Sequence, residues 1–137
     1  MVSRTVIYFD NPGEENTDVV LKAAKERAEE LGIKDIVVAS TRGGTGIKAA
    51  ETFKGFNLVV VTHHTGFRKP GFQEMSEENR RKIEELGGKV YTGTHALMNV
   101  ERAILNKLGT AYPTEIIAHT LRLFGQGMKV AVEITAM

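Results

Sequence analysis

The sequence predicts an α/β domain with three layers, in which helices cover both faces of a mainly parallel sheet. Strand-like and helical patterns alternate four times along the 137 residues, and short segments join them. Residues 58–62 form a nearly continuous apolar run, which is typical of a parallel strand buried on both faces. Because no repeat or linker interrupts the pattern, we expect a single domain over residues 1–137.

The expected strands are short runs of β-branched, aliphatic and aromatic residues. The first run, RTVIYF, ends at the turn-forming sequence Asp-Asn-Pro-Gly. We expect parallel strands near residues 4–9, 35–39, 58–62 and 88–91.

Helical patterns lie between and after these strands. They cover residues 17–31, 45–54 and 76–86, and continue from residue 96 with a break near residues 109–113. In the first helix, apolar residues recur at steps of three and four, with Asn16 or Thr17 as the cap and Gly32 as the stop. Pro113 suits the first turn of the helix that follows the break.

Composition and charge exclude several classes of protein. The net charge of +1 gives no overall attraction to nucleic acid or to a membrane surface. The absence of cysteine excludes disulfides, thiolate catalysis and cysteine zinc sites. The N-terminus lacks the pattern of a signal peptide, and no apolar stretch approaches the roughly 20 residues of a membrane span. We therefore expect a cytoplasmic protein without nucleic-acid or membrane partners.

In parallel sheets of this kind, ligands bind at the carboxyl ends of the strands. The loops that should share this end are rich in Gly, Asn, Ser, Thr and His, and they span residues 10–16, 40–45, 63–72 and 92–95. We expect these loops to form a ligand site.

The loop after the second strand has the features of an anion site. It consists of Ser40, Thr41, Arg42, Gly43, Gly44 and Thr45. Glycines let backbone N–H groups approach a ligand, hydroxyls and a guanidinium hydrogen-bond phosphate oxygens, and the helix N-terminus adds partial positive charge. The loop matches neither the Walker pattern nor the dinucleotide fingerprint. A tight turn in which Thr45 caps the helix is the alternative, and the sequence leaves both open.

The other candidate residues follow the first, third and fourth strands. They are Asn11, Gly13, Asn16, Thr62, His63, His64, Thr65, Gly66, Phe67 and His95. The amides could form a polar wall of the site, although a turn that caps the first helix is the favoured interpretation. One histidine could line the crevice, where Phe67 or Phe72 could stack on an aromatic ring. His95 could hydrogen-bond a ligand or belong to a helix cap.

A metal site at the adjacent histidines is disfavoured. In an extended chain, neighbouring side chains point apart, so His63 and His64 should not converge. No third ligand stands nearby in the sequence.

The stretch VVASTRGGTGIKAAE, followed by NLVVVT, resembles the C-terminal α/β domain of pyruvate kinase. In that domain a strand leads into Thr-x-Ser-Gly-x-Thr-Ala, then a helix, then a strand that ends in Thr. The five defined positions are occupied here by Ser40, Arg42, Gly43, Thr45 and Gly46, of which Gly43 and Thr45 match. The related turn of pyruvate kinase holds a phosphate of an allosteric sugar effector, which implies a phosphate site here.

A longer resemblance is to a small, mainly archaeal family of free-standing domains similar to this part of pyruvate kinase. The matching stretches are YFDNPGEENTDVVLKAAKERAEELGIKDIVVAS, VVVTHHTGF, THALMNVERAI and GQGMKVAVEIT. This resemblance implies flavin mononucleotide (FMN) as the ligand. It does not imply phosphoryl transfer from phosphoenolpyruvate, because the kinase active site lies in another domain of pyruvate kinase.

Members of that family continue past the segment that matches residues 128–137. The resemblance therefore implies that residues 128–137 are helical and that the chain is truncated, with an apolar edge or face of the sheet left uncovered. Such an edge favours association or poor solubility, and a homo-oligomer is one expected outcome.

Two classes of function follow. A binding module that holds FMN or another phosphorylated small molecule ranks first. The alternative is an enzyme that uses a flavin or acts on a phosphorylated metabolite. No Ser-His-Asp arrangement or carboxylate dyad is recognisable in the sequence, so His63, His64 and His95 are the candidate acid–base groups.

Overall fold

The computed structural model describes residues 3–98 and 100–137. Three parallel strands form one sheet in the order β1-β2-β3, with Val37 opposite Val59 and Val59 opposite Lys89. The strands are β1 (Asp35–Ala39), β2 (Asn57–Val61) and β3 (Lys89–Tyr91). The helices are α1 (Thr17–Leu31), α2 (Gly44–Thr52), α3 (Glu77–Glu85), α4 (Val100–Leu108), α5 (Pro113–Arg122) and α6 (Gln126–Thr135), and Glu14–Asn16 forms a 3-10 turn before α1.

Helices cover the sheet in the three-layer arrangement that the alternating pattern predicts. On one side, α2 packs against β1 and β2 and lies between α1 and α3. On the other side, α6 packs against β1 and is followed outward by α5 and α4. Helix α6 confirms the expectation of helix over most of residues 128–137, and α4 begins at Val100, later than the residue 96 expected. Asn99, which the expected helix includes, lies outside the described residues.

The core lies between the sheet and helices α2 and α3. Leu58, Val60 and Ile83 are buried there, together with Ala49, Ala50 and Phe53 of the segment around α2. Gly46 allows α2 to approach the sheet, because a Cβ at this position would lie 2.8 Å from both Ile83 Cδ1 and Val60 Cγ1. This close approach fixes the start of α2 relative to the end of β1.

The expected strand at residues 4–9 is wrong. Residues 4–9 have no strand assignment and are exposed, with Tyr8 90% exposed. Arg4 Nη1 lies 3.1 Å from Glu30 Oε1, which places the segment beside α1 rather than in the sheet. A β-branched and aromatic run favours extended backbone, but a strand also needs a partner edge and a buried face. Residues 4–9 gain neither, because they lie beside α1 instead of along the edge of β1.

Among the described residues, no strand pairs with the outer edge of β1. A groove of about 790 Å³ runs along β1, with α1 and α6 as its walls. Its lining is mainly apolar and includes Val20, Ala24, Val130 and Ile134. Self-association through this surface stays a prediction. Within the described ranges, no helix is long and apolar enough to cross a membrane.

Candidate functional site

The turn after β1 is held by Ser40 rather than by Thr45. Ser40 N donates to Val61 O at 2.9 Å, which extends the pairing of β1 with β2 by one residue. Ser40 Oγ then accepts a hydrogen bond from Gly46 N at 3.0 Å. Helix α2 begins at Gly44 with Gly43 in the cap position, so the alternative in which Thr45 caps the helix is wrong. Ser40 is buried and engaged with α2, which leaves its hydroxyl no room for a ligand.

Gly43 is required by the backbone and by a neighbouring helix. Its φ of 105° lies in the region that side chains disfavour, and a Cβ would lie 2.6 Å from Asn79 Cβ. Asn79 Nδ2 also donates to Arg42 O at 2.8 Å. Helix α3 therefore sets the shape of the turn. At Gly44, by contrast, a Cβ would meet no atom within 4 Å.

The turn presents donors at the start of α2. Within the part of the chain that the structure describes, the N–H groups of Gly44 and Thr45 have no backbone or side-chain acceptor. Ile47 N, in contrast, already donates to Gly43 O. The guanidinium of Arg42 belongs to an exposed residue of the same turn. These donors and the partial positive charge of the helix N-terminus favour an anion.

The loop before α1 lies on the groove side of this turn. Asn16 Nδ2 donates to Asn11 O at 2.7 Å, and Asn16 N donates to Gly13 O at 3.3 Å. Asn16 occupies the cap position of α1 without a side-chain cap bond, so its amide closes the loop instead of the helix end. Gly13, Asn16 and Thr45 all line the mouth of the β1 groove. The predicted polar wall is therefore adjacent to the glycine turn, on the side away from the histidines.

On the other side of the turn, His63 connects three loops. Its Nδ1 lies 2.7 Å from Glu74 Oε2, and its Nε2 lies 3.4 Å from Thr41 Oγ1. The ring of Phe67 lies against it, with ring centroids 4.0 Å apart. Glu74 was missed by the sequence analysis, since it is 11 residues from His63 along the chain and no local pattern relates the two.

His64 lies against the same aromatic group. Its ring centroid is 5.4 Å from that of Phe67 and 5.6 Å from that of His95. We expected the two adjacent histidines to point apart. Instead, the ring of His63 also lies near Phe67 and His95, so the two histidines share these neighbours. The alternation of side chains holds only within a strand, and β2 ends at Val61.

Burial lowers the pKa of His64, and the nearby His95 and His63 lower it further, while Glu133 acts in the opposite direction. The neutral form of His64 is thus favoured near pH 7.

His95 is part of a buried charged cluster rather than an open ligand contact. Its Nε2 lies 3.0 Å from Thr62 O, and its Nδ1 lies 3.4 Å from Glu133 Oε2. Glu133 also accepts from Leu97 N at 2.9 Å and pairs with Lys129 Nζ at 2.5 Å. The two charged residues were missed, although two charges at a spacing of four inside the apolar run of residues 128–134 are a visible signal.

The remaining candidates stabilise the loops. Thr62 Oγ1 lies 2.7 Å from Thr92 Oγ1, and Thr65 Oγ1 accepts from Gln73 Nε2 at 3.3 Å. Gly66 has a φ of 93°, and its N–H donates to Phe72 O at 2.9 Å. Thr62 and Gly66 are thus engaged in contacts within the loops, whereas Thr65 is exposed.

A sequence model of the family described as "Pyruvate kinase, alpha/beta domain" matches residues 18–135. The chain belongs to this family. In this pyruvate kinase α/β domain, the glycine turn contacts His63 through Thr41, and the rings of His63 and His64 both lie near those of Phe67 and His95. Among the described residues, no set of three or more His, Cys, Asp or Glu side chains could hold a metal ion.

His64 should make the pyruvate kinase α/β domain less stable in acid. Since its pKa is lowered in the folded state, the unfolded chain takes up the proton more readily, and stability falls as pH drops below about 6.5. His64→Gln should therefore reduce the loss of unfolding free energy between about pH 7 and pH 5, measured by urea denaturation. The exposed His119→Gln is the control and should keep the wild-type slope. If His64→Gln kept the wild-type dependence of unfolding free energy on pH, the lowered pKa of His64 would be contradicted.

Proposed function

We propose that this pyruvate kinase α/β domain binds a phosphorylated small molecule, FMN, at the carboxyl ends of its parallel strands. The observation that carries the proposal is the pair of unpartnered N–H groups of Gly44 and Thr45 at the start of α2, within the part of the chain that the structure describes. With the exposed guanidinium of Arg42, they form a set of donors suited to a phosphate dianion. Ser40 is excluded from this set because it is buried and its hydroxyl accepts a hydrogen bond from Gly46 N.

A partly exposed aromatic side chain supports the flavin part of the proposal. Phe67 rests against His63, but it is 41% exposed and also lines a cavity of about 600 Å³. His64, Met98 and Arg102 line the same cavity, which combines apolar and polar surface. Phe67 would stack on the ring, while Gly44, Thr45 and Arg42 would hold the phosphate. When bound, FMN would supply one- and two-electron redox chemistry.

The alternative is a flavin-dependent or phosphometabolite enzyme at the same site. It is favoured only by the contact between Thr41 and His63. A cytoplasmic location, the absence of nucleic-acid and membrane partners, and a homo-oligomer stay predictions.

Titration with FMN and with riboflavin, which lacks the phosphate, tests the phosphate site. Arg42→Ala should weaken FMN binding by about 1.5–3 kcal/mol, the contribution of a hydrogen bond to a charged group, and leave riboflavin binding unchanged. The exposed Arg81→Ala on α3 is the matched control and should bind FMN like the wild type. Flavin fluorescence quenching gives both affinities, and a visible spectrum of the protein purified without added flavin shows any flavin carried along. Equal affinity for FMN and riboflavin would contradict the proposal.

A further inference from the structure

Thr41, His63 and Glu74 form a row of hydroxyl, imidazole and carboxylate. Thr41 lies in the turn after β1, His63 follows β2, and Glu74 ends the loop before α3. The two contacts are 3.4 Å from Thr41 Oγ1 to His63 Nε2 and 2.7 Å from His63 Nδ1 to Glu74 Oε2. The fold thus brings together residues that are 22 and 11 positions apart in the sequence.

The contacts define where the proton of neutral His63 lies. The hydrogen bond from His63 lowers the pKa of Glu74 more than burial raises it, and the charges of His63, Arg68 and Arg42 lower it further. Glu74 is therefore ionised at neutral pH and only accepts hydrogen bonds. The ring proton of neutral His63 then lies on Nδ1, and the lone pair of Nε2 faces the hydroxyl of Thr41.

The carboxylate end of this row is buried, and its other two side chains are partly exposed. The side chain of Glu74 is 4% exposed, that of His63 is 31% exposed, and Thr41 is half-buried. Arg68 Nε lies 2.8 Å from Glu74 Oε1. The two groups form an ion pair, but Glu74 Oε1 accepts no hydrogen bond from any described residue. The 3.4 Å contact between Thr41 and His63 is longer than a strong hydrogen bond, but such contacts tighten when a substrate binds.

We propose that Thr41 is a nucleophile for carboxylic esters, with His63 as its general base and Glu74 as the residue that positions His63. This activity goes beyond the proposed binding of FMN, and the row of Thr41, His63 and Glu74 includes none of the phosphate donors. Acyl transfer depends on deprotonation of the attacking hydroxyl, which this row performs. Phosphoryl transfer depends mainly on positive charge around the phosphoryl group, for which the row offers little.

The reaction has two balanced steps. His63 Nε2 takes the proton of Thr41 Oγ1 while the oxygen attacks the ester carbonyl, and the protonated ring then gives that proton to the alcohol as the C–O bond breaks. In the second step, His63 deprotonates a water that attacks the acyl-threonine. The acid leaves, and Thr41 recovers its proton from the ring. The N–H groups of Gly44 and Thr45, in the same turn, are donors of the kind that stabilise an oxyanion.

A purely structural role is the competing explanation, because His63 and Glu74 also tie the loop before α3 to the sheet. The two explanations differ at Thr41. A clamp between His63 and Glu74 does not need a reactive hydroxyl, whereas a nucleophile does.

Covalent labelling with an alkyl fluorophosphonate, followed by peptide mass spectrometry, tests the nucleophile. The label should be on Thr41, and hydrolysis of p-nitrophenyl acetate should be abolished in Thr41→Val and retained in Thr41→Ser. His63→Gln should slow both reactions by about a hundredfold, the usual size of general-base catalysis. Thr120→Ala and His119→Gln, both on the exposed side of α5, are controls and should react like the wild type.

Glu74→Gln tests the positioning role. It should lower kcat for the ester while KM stays unchanged, since the charge of Glu74 stabilises the imidazolium that forms only during the reaction. Circular dichroism melting shows whether each variant is folded. A wild-type protein that takes no label at Thr41, or a folded Thr41→Val that hydrolyses the ester normally, would overturn the proposal. These assays contain no flavin. A negative result would therefore overturn the esterase proposal but would not affect the proposal of FMN binding, which the titration tests separately.

Discussion

Glu133→Gln should lower the free energy of unfolding by about 3–5 kcal/mol, the cost of breaking a buried ion pair. Lys129 and Glu133 are 1% and 2% exposed, so the ammonium would be left without its counter-charge in the interior. The carboxylate also contacts His95 and accepts from Leu97 N, so α6 and the segment after β3 should loosen together. Urea denaturation measures the change.

Lys129→Met in the Glu133→Gln background is the matched control. The double variant removes the unpaired ammonium, while the introduced glutamine side chain would still offer an acceptor to Leu97 N. The double variant should therefore recover most of the lost stability. A single Glu133→Gln variant that loses less than about 1 kcal/mol, the typical value for exposed pairs, would show that the pair is solvated.

Gly43→Ala should destabilise the domain by about 2–4 kcal/mol, because a positive φ and a lost hydrogen bond add up. The new Cβ would displace Asn79, which holds Arg42 O at 2.8 Å. Flavin binding should fall with stability, since the turn would no longer align the N–H groups of Gly44 and Thr45. The new Cβ would conflict with Asn79 of α3, so the loss of binding would follow from the changed shape of the turn.

Gly44→Ala is the control for Gly43→Ala. Its φ is not positive, no atom lies within 4 Å of the new Cβ, and the residue begins α2. It should be neutral or stabilising by up to about 1 kcal/mol, because alanine loses less conformational entropy in a helix. Thermal and urea denaturation of both variants give the comparison. Equal destabilisation at the two positions would show that the turn responds to any side chain.

The local patterns predicted the elements that depend on local energetics. Helix α1 follows from apolar steps of three and four and the stop at Gly32, whose φ of 68° closes the helix end. Strand β2 follows from an apolar run, which is typical of a central parallel strand whose faces are covered by helices. The glycine turn at the end of β1 was predictable because glycine and hydroxyl residues have strong turn preferences.

By itself, therefore, the sequence determined the parallel α/β architecture and the end of the sheet at which the candidate site lies. Tertiary structure alone decided that residues 4–9 stay outside the sheet, since the segment lies beside α1 and does not pair with the free edge of β1. It also decided that Ser40 rather than Thr45 supports α2, and that His63 faces Glu74 and Thr41. Hydrogen bonds between residues far apart in the sequence depend on how the helices and strands pack. The periodic patterns of the sequence predict the elements but not these contacts.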